Sequence, residues 1–195
     1  MQNLIILAHP TQGSFCHQIL DKTVEIAKEM EIETRIRDLY EMKFNPVMNH
    51  RDVEVVEGNE QPEEIIAEQE IINQADFITL IYPIWWGSMP AILKGYIDRV
   101  FTFGFAFEAG DQGPVGMLTD KRVLVLNTHG APKEVYERQG MYEAMNTVSN
   151  VAIFEFTGME VFMNKYYSSI NKVDNPTKEI FLEDVESTVR RFFTA

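Results

Sequence analysis

The chain has 195 residues, with 17 Lys and Arg against 30 Asp and Glu, a formal net charge of −13. Length and an ordinary apolar content of 45% predict one domain spanning 1–195 that buries a full core without staples. The acidic balance argues against a sequence-independent grip on nucleic acid or an anionic membrane surface, both of which need Lys and Arg. The single cysteine, Cys16, excludes an internal disulfide and CxxC or Cys-rich zinc chemistry.

Strand and helix patterns alternate along the chain. Leu4 to Ala8 is a short apolar run of the kind that a doubly buried parallel strand uses, and it is too short for a signal core. Phe15, Ile19, Val24, Ile26, Ala27 and Met30 follow at near-helical spacing, with Ser14 as the expected N-cap. Ile32, Thr34 and Ile36 alternate with Glu33, Arg35 and Arg37, which predicts a half-exposed edge strand. Residues 39–61 read as irregular and acidic, broken at Asn45-Pro46 and Gly58-Asn59. Pro62 opens a helix through Ile72, and 76–82 form the next strand, ending at Pro83. A helix is predicted from about Pro90 to Phe101, a Gly-rich loop over 103–120, and a buried strand over Arg122–Thr128. Pro132 starts a helix that fades near Val151, Met159–Met163 make a short last strand, and Pro176–Phe193 a closing helix. No apolar stretch reaches the roughly 20 residues of a membrane span, so the expectation is a soluble, cytoplasmic protein without membrane insertion.

Five strands and five helices in alternation imply an α/β fold. The expected architecture is a flavodoxin-like doubly wound five-stranded parallel sheet, order 2-1-3-4-5, with helices on both faces. Ligands in such sheets bind outside the carboxyl ends of the strands near the switch point, so the loops after strands 1, 3 and 4 are the candidates. The first, His9-Pro10-Thr11-Gln12-Gly13-Ser14-Phe15, opens a helix and offers hydroxyls and amides to a phosphate. It lacks both GxGxxG and the GK[ST] of a P-loop; taken alone, Ser14 as a simple cap explains it as well. The second, Tyr82 to Pro90, holds both tryptophans, Trp85 and Trp86, between two prolines and next to Gly87. That placement suits the lining of a pocket for a flat heterocycle. The third, Asn127-Thr128-His129-Gly130-Ala131-Pro132 with Tyr136 beyond, can bring small polar groups close to a ring edge. No GxSxG elbow occurs, and the four histidines lack metal-ligand spacing, so no metal site is expected. The acidic runs Glu54–Glu70 and Glu183–Glu186 read as solvated faces.

With the three loops in view, the chain resembles the NAD(P)H:quinone oxidoreductases, the DT-diaphorase-like enzymes that include small bacterial quinone reductases. Residues 82–101 carry P-x-x-W-x-x-x-P-A-x-L-K-G-x-x-D-R-V-F; Leu7-Ala8-His9-Pro10 with Ser14-Phe15, and Gly104-Phe105-Ala106-Phe107, match as well. The resemblance implies a flavin, FMN with FAD as the alternative, held at its phosphate side by His9, Thr11, Ser14, Phe15 and Cys16. Pro83, Ile84, Trp85, Trp86 and Gly87 would hold the isoalloxazine, and Thr128, His129 and Gly130 its pyrimidine edge. Tyr136 and His129 are the implied catalytic residues, and Phe107 with Trp86 the implied substrate pocket. The implied activity is two-electron, ping-pong reduction of quinone-like acceptors by NADPH or NADH, in a homodimer. The chain departs from the family at Cys16, where asparagine is common, and at Thr-His-Gly-Ala in place of Thr-Thr-Gly-Gly. Tyr142 falls near the place of a family histidine. The alternatives are a flavodoxin-type electron carrier and a regulatory flavoprotein subunit of a potassium-efflux system.

Overall fold

In the computed structural model the described residues are 1–54 and 61–194. Five parallel strands form the central sheet: β1 (Gln2–Leu7), β2 (Glu33–Asp38), β3 (Phe77–Pro83), β6 (Arg122–Thr128) and β7 (Glu160–Tyr167), in the order β2-β1-β3-β6-β7. This is the predicted order, with a hairpin, β4 (Phe107–Gly110) and β5 (Gly113–Gly116), inserted where the sequence suggested only a Gly-rich loop. Strand alternation sends successive side chains to opposite faces. Leu4, Ile6, Ile78, Leu80, Val123 and Val125 enter one core with α3 (Glu63–Gln74) and α4 (Ala91–Val100). Ile5, Leu7, Phe77, Ile81, Leu124 and Leu126 enter the other with α1 (Phe15–Glu29) and α7 (Asn175–Thr194). Both faces are covered, which is why these strands read as continuous apolar runs. Among the described residues no helix is long and apolar enough to cross a membrane.

Several expectations are corrected. Residues 39–54 are not wholly irregular: α2 (His50–Glu54) forms there, held by the buried Arg99–Asp52 pair. Gly58-Asn59 lie outside the described residues. The helix after Pro132 is not continuous. Gly140, at φ +65°, separates α5 (Lys133–Arg138) from α6 (Met141–Asn146), and a π-helical segment runs on from Thr147 to Glu155. The last strand extends to Tyr167. The acidic run of α3 is not a uniformly solvated face, because Glu68 is buried, paired with Arg37 and accepting the Tyr96 hydroxyl at 3.0 Å.

Candidate functional site

The carboxyl ends of the strands are tied to one another by their own backbone. Ala8 N–H donates to Ile81 O at 3.0 Å, Ile84 N–H to Thr128 O at 2.7 Å, His129 N–H to Tyr167 O at 3.0 Å, and Ile170 N–H to His129 O at 3.1 Å. These bonds fix the loops after β1, β3, β6 and β7 side by side. Among them lies a cavity of about 300 Å³ lined by His9, Thr11, Gly13, Ser14, Phe15, Cys16, Gln18, Thr128, Ile170, Asn171 and Lys178.

Ser14 caps α1 as its sequence position predicts, with extended backbone angles and a side chain that accepts the His17 N–H. His17 N–H and Gln18 N–H also reach Ser14 O, at 3.0 and 3.1 Å. Of the four amides that a helix start leaves without an intrahelical acceptor, those of Phe15 and Cys16 remain for an external one. The α1 first turn carries no acidic residue, and Lys178 adds a cation from α7. In a chain of net charge −13, this is a locally anion-attracting corner. His9 Nδ1 accepts the Thr11 N–H at 3.1 Å, and burial holds its imidazole below the usual range. Its ring lies 6.0 Å from that of His17 and 6.4 Å from that of Trp85. Gly13, at φ +72°, lets the loop turn into α1 in the left-handed region.

Cys16 is buried, with Sγ 3.4 Å from Thr128 Oγ1, and burial pushes its thiol up to about 11. Thiolate is the reactive form. The expected result with a thiol-specific chromogenic disulfide at pH 8 is therefore no fast reaction in the native protein. One thiol per chain should be released in denaturant; rapid native labelling would contradict the buried geometry.

The second loop forms a tight turn. Trp85 N–H donates to Ser88 O at 2.9 Å and Ser88 N–H to Trp85 O at 3.1 Å, with Trp86 and Gly87 between at φ +51° and +72°. Two positive φ values are what a type I′ turn demands, and a tryptophan pays strain there that glycine does not. The turn leaves Trp86 fully exposed (104%) and Trp85 at 40%, while Pro83 and Ile84 are buried against the sheet. Gly87 sits beside Met141, whose Cε would lie 3.0 Å from an added Cβ.

In the third loop the buried His129 ring stacks on Tyr136, with centroids 4.5 Å apart and planes at 5°. Its Nε2 is 2.9 Å from the Tyr142 hydroxyl. Its Nδ1 is buried without a well-formed hydrogen bond, near the Ala131 backbone, and burial lowers its pKa. An added Cβ on Gly130 would stand 3.4 Å from Asn171 Nδ2, so the glycine keeps that wall low.

Of the predicted site residues, His9, Thr11, Ser14, Phe15, Cys16 and Thr128 line one cavity. Pro83 pairs with Thr128 across the sheet, which brings the 83–87 turn beside it. His129 and Tyr136 form their own stack, outside the lining. Phe107 lies elsewhere in the chain: it lines an apolar hollow of about 360 Å³ between α4 and the π-helical segment and packs on Phe156 at 5.2 Å. Gln18, Ile170, Asn171 and Lys178 escaped the sequence reading. The rule that ligands sit at strand carboxyl ends points equally to the loop after the last strand, but the expected strand order singles out only the loops after strands 1, 3 and 4.

Comparison with known proteins agrees with this arrangement. A family model described as a flavodoxin-like fold matches residues 1–190. An NAD(P)H oxidoreductase of Haemophilus influenzae is 35% identical over 184 residues, covering 94% of this chain and 91% of that one. The NAD(P)H dehydrogenase [quinone] 1 of Rattus norvegicus is 30% identical over 188 residues, covering 86% of this chain and 68% of its own length. The NAD(P)H:quinone oxidoreductase of Methanothermobacter marburgensis superposes with a TM-score of 0.88 at 29% identity, over 97% of this chain and 98% of that one. Likeness of this extent makes the chain an oxidoreductase belonging to the NAD(P)H:quinone oxidoreductase family with a flavodoxin-like fold.

Proposed function

We propose that the protein is a flavin-dependent NAD(P)H oxidoreductase that reduces quinone-like acceptors by two electrons. The observation that carries this is the α1 cavity, where unpaired helix amides, the Thr11 and Ser14 hydroxyls and Lys178 surround a space next to two exposed indoles. Those groups fit a flavin: a phosphate suits the helix start and the ammonium, and a flat ring suits the Trp85–Trp86 turn and the Thr128–Gly130 loop. FMN is preferred to FAD because the lining offers groups for a phosphate while none of its residues marks an adenosine site. Bound flavin would supply the capacity to take a hydride from NAD(P)H and hand two electrons to an acceptor.

The chain's own residues then have distinct tasks. Ser14 and the Phe15 and Cys16 amides hold the anionic end. Pro83 and Ile84, fixed by the 2.7 Å bond to Thr128 O, set the floor under the ring. Backbone near Gly130, which has no side chain of its own, would meet the pyrimidine edge and stabilise charge there. Tyr136, held in plane by His129, faces donor and acceptor, which take the same place in turn and so give ping-pong kinetics. A second copy covers the apolar hollow at Phe107, where Val148, Val151 and Phe156 are exposed; light scattering should report a dimer of about twice 22.5 kDa. The expected compartment is the cytoplasm.

The test is an anaerobic titration of the flavin-loaded protein with NADPH and with NADH. Full bleaching to the two-electron form and recovery on adding a quinone are expected. Stable accumulation of a one-electron form would favour an electron carrier. Lys178→Glu is expected to weaken FMN binding about tenfold, or roughly 1.4 kcal/mol, by reversing a charge beside the phosphate. Removing both indoles, Trp85→Ala with Trp86→Ala, should also loosen the flavin. Unchanged affinity in both variants, measured by fluorescence quenching, would sink the cavity as the flavin site.

A further inference from the structure

We propose that His17, seated between Asp38 and Ser14, is a positioning residue: it turns the Ser14 hydroxyl toward the anionic end of the cofactor and couples the grip on that end to uptake of a proton. The proposal rests on the flavin reading above. It concerns a side chain that does not line the α1 cavity and acts through one that does.

Three side chains make a line. Asp38 ends β2, and its Oδ1 accepts the N–H groups of Tyr40 and Glu41 at 3.0 and 3.1 Å. Its other oxygen, Oδ2, stands 3.7 Å from His17 Nε2, which is buried without a hydrogen-bond partner. On the far side of the ring, Nδ1 lies 2.8 Å from Ser14 Oγ. His17 and Asp38 are each 7% exposed, so solvent screens the pair little. Ser14 faces the cavity.

A serine hydroxyl has one proton to give and two lone pairs. Ser14 Oγ already accepts the His17 backbone N–H at 3.4 Å. A proton on Nδ1 occupies the second lone pair and leaves the hydroxyl proton for a ligand oxygen in the cavity. With Nδ1 bare, the hydroxyl turns to the ring and shows a lone pair to the ligand, which an anion repels. The neutral Nδ1–H tautomer sets a bare Nε2 against the Asp38 carboxylate, so the form that satisfies both ends is the imidazolium. A cation in the first turn of α1 opposes the helix dipole, and an anion bound at the helix start offsets that opposition. Proton and anion therefore stabilise each other, and each raises the affinity for the other by the same factor. The other groups around the ring are His9, 6.0 Å away in the loop after β1, Asp21 one turn on along α1, and Lys178 of α7 across the cavity. His9 Nδ1 accepts the Thr11 N–H, and burial favours its neutral ring, so it does not compete for the charge.

The test uses the FMN-loaded protein with sulfate as the competing anion, read by recovery of free-flavin fluorescence. Sulfate keeps its charge across the histidine range, whereas a phosphomonoester gains charge near about pH 6. In wild type, sulfate should bind about tenfold more weakly at about pH 8 than at about pH 5.5. His17→Gln should abolish that dependence. Asp38→Asn keeps an oxygen for the Tyr40 and Glu41 amides but removes the charge, and should move the fall to lower pH. Riboflavin, which lacks the phosphate, should bind wild type without this dependence. One readout needs no variant: in the flavin-free protein at about pH 7.5, sulfate should move the His17 ring ¹⁵N resonances toward imidazolium values and leave those of His50 in place. With FMN still bound, a pH-independent sulfate affinity in wild type, a dependence that survives His17→Gln, or a His17 ring indifferent to sulfate would each overturn the role. A wild-type protein that binds no FMN at any pH would overturn the flavin reading and this role with it.

Discussion

Replacing Arg99 by Met is expected to cost about 3–5 kcal/mol of stability, the usual penalty for stranding one half of a buried ion pair. Arg99 is 2% exposed. Its Nε and Nη2 donate to Asp52 at 2.9 Å each, Nη1 donates to Asn45 O at 2.9 Å, and its guanidinium lies 5.6 Å from the Phe44 ring. The variant leaves a buried carboxylate without its cation, held only by the Asn49 N–H, and strips the Asn45 carbonyl of its Arg99 donor. In a chain of this size the loss corresponds to roughly 10 °C in Tm. Adding Asp52→Asn should return part of the loss, because it removes the stranded charge while its amide oxygen can still accept the Asn49 N–H. Burial alone would raise the Asp52 pKa, but the Arg99 fork and the Asn49 amide outweigh it and hold the carboxyl below its usual value. A depressed folded pKa means that this stability is present above the unfolded value of about 3.9. It is lost as pH falls through the lower folded value, and the wild-type advantage over Arg99→Met should shrink in acid. Urea melts at pH 7 and pH 3 measure it; equal midpoints for the two proteins at pH 7 would refute the role.

Gly95→Ala should also destabilise, against the sign that helix propensity gives. In an open helix interior alanine is better than glycine by about 1 kcal/mol. Here an added Cβ would stand 2.2 Å from Pro46 O, 2.4 Å from Pro46 Cβ and 2.6 Å from Pro46 Cα. Two of those atoms are backbone, so no rotamer change clears them, and α4 must part from the 44–49 segment. The expected cost is about 3 kcal/mol, read in thermal melts and as faster proteolysis within 44–52. An unchanged or raised Tm would show that the close approach is not maintained in solution. Gly95 and Arg99 both belong to the block that carries the family resemblance. Its front half, 83–90, shapes the site, and its back half clamps a distant segment.

The central fold was legible because its signals are local. Buried strands such as Leu4–Leu7 and Val123–Leu126 are continuous in sequence, Ser14 announces the start of α1, and the βα alternation restricts the topology. The strand-end rule singles out His9, Ser14, Phe15 and Thr128, which the fold brings to the lining of one cavity. Residues whose role depends on a distant partner stayed hidden. Glu68 looks like any surface glutamate until Arg37 and Tyr96 close over it. The 107–116 hairpin needs cross-strand pairing that a Gly-rich stretch does not advertise. Lys178 and Asn171 reach the cavity only because β7 extends to Tyr167, and the joining of His129 to Tyr142 spans 13 residues and a helix break at Gly140. Composition and periodicity thus determined the layers, the strand order and the end of the sheet where chemistry belongs, since burial and chain connectivity act through neighbours in sequence. Which side chains meet there was decided by tertiary packing, because a hydrogen bond, a stack or a buried ion pair is a property of two positions in space.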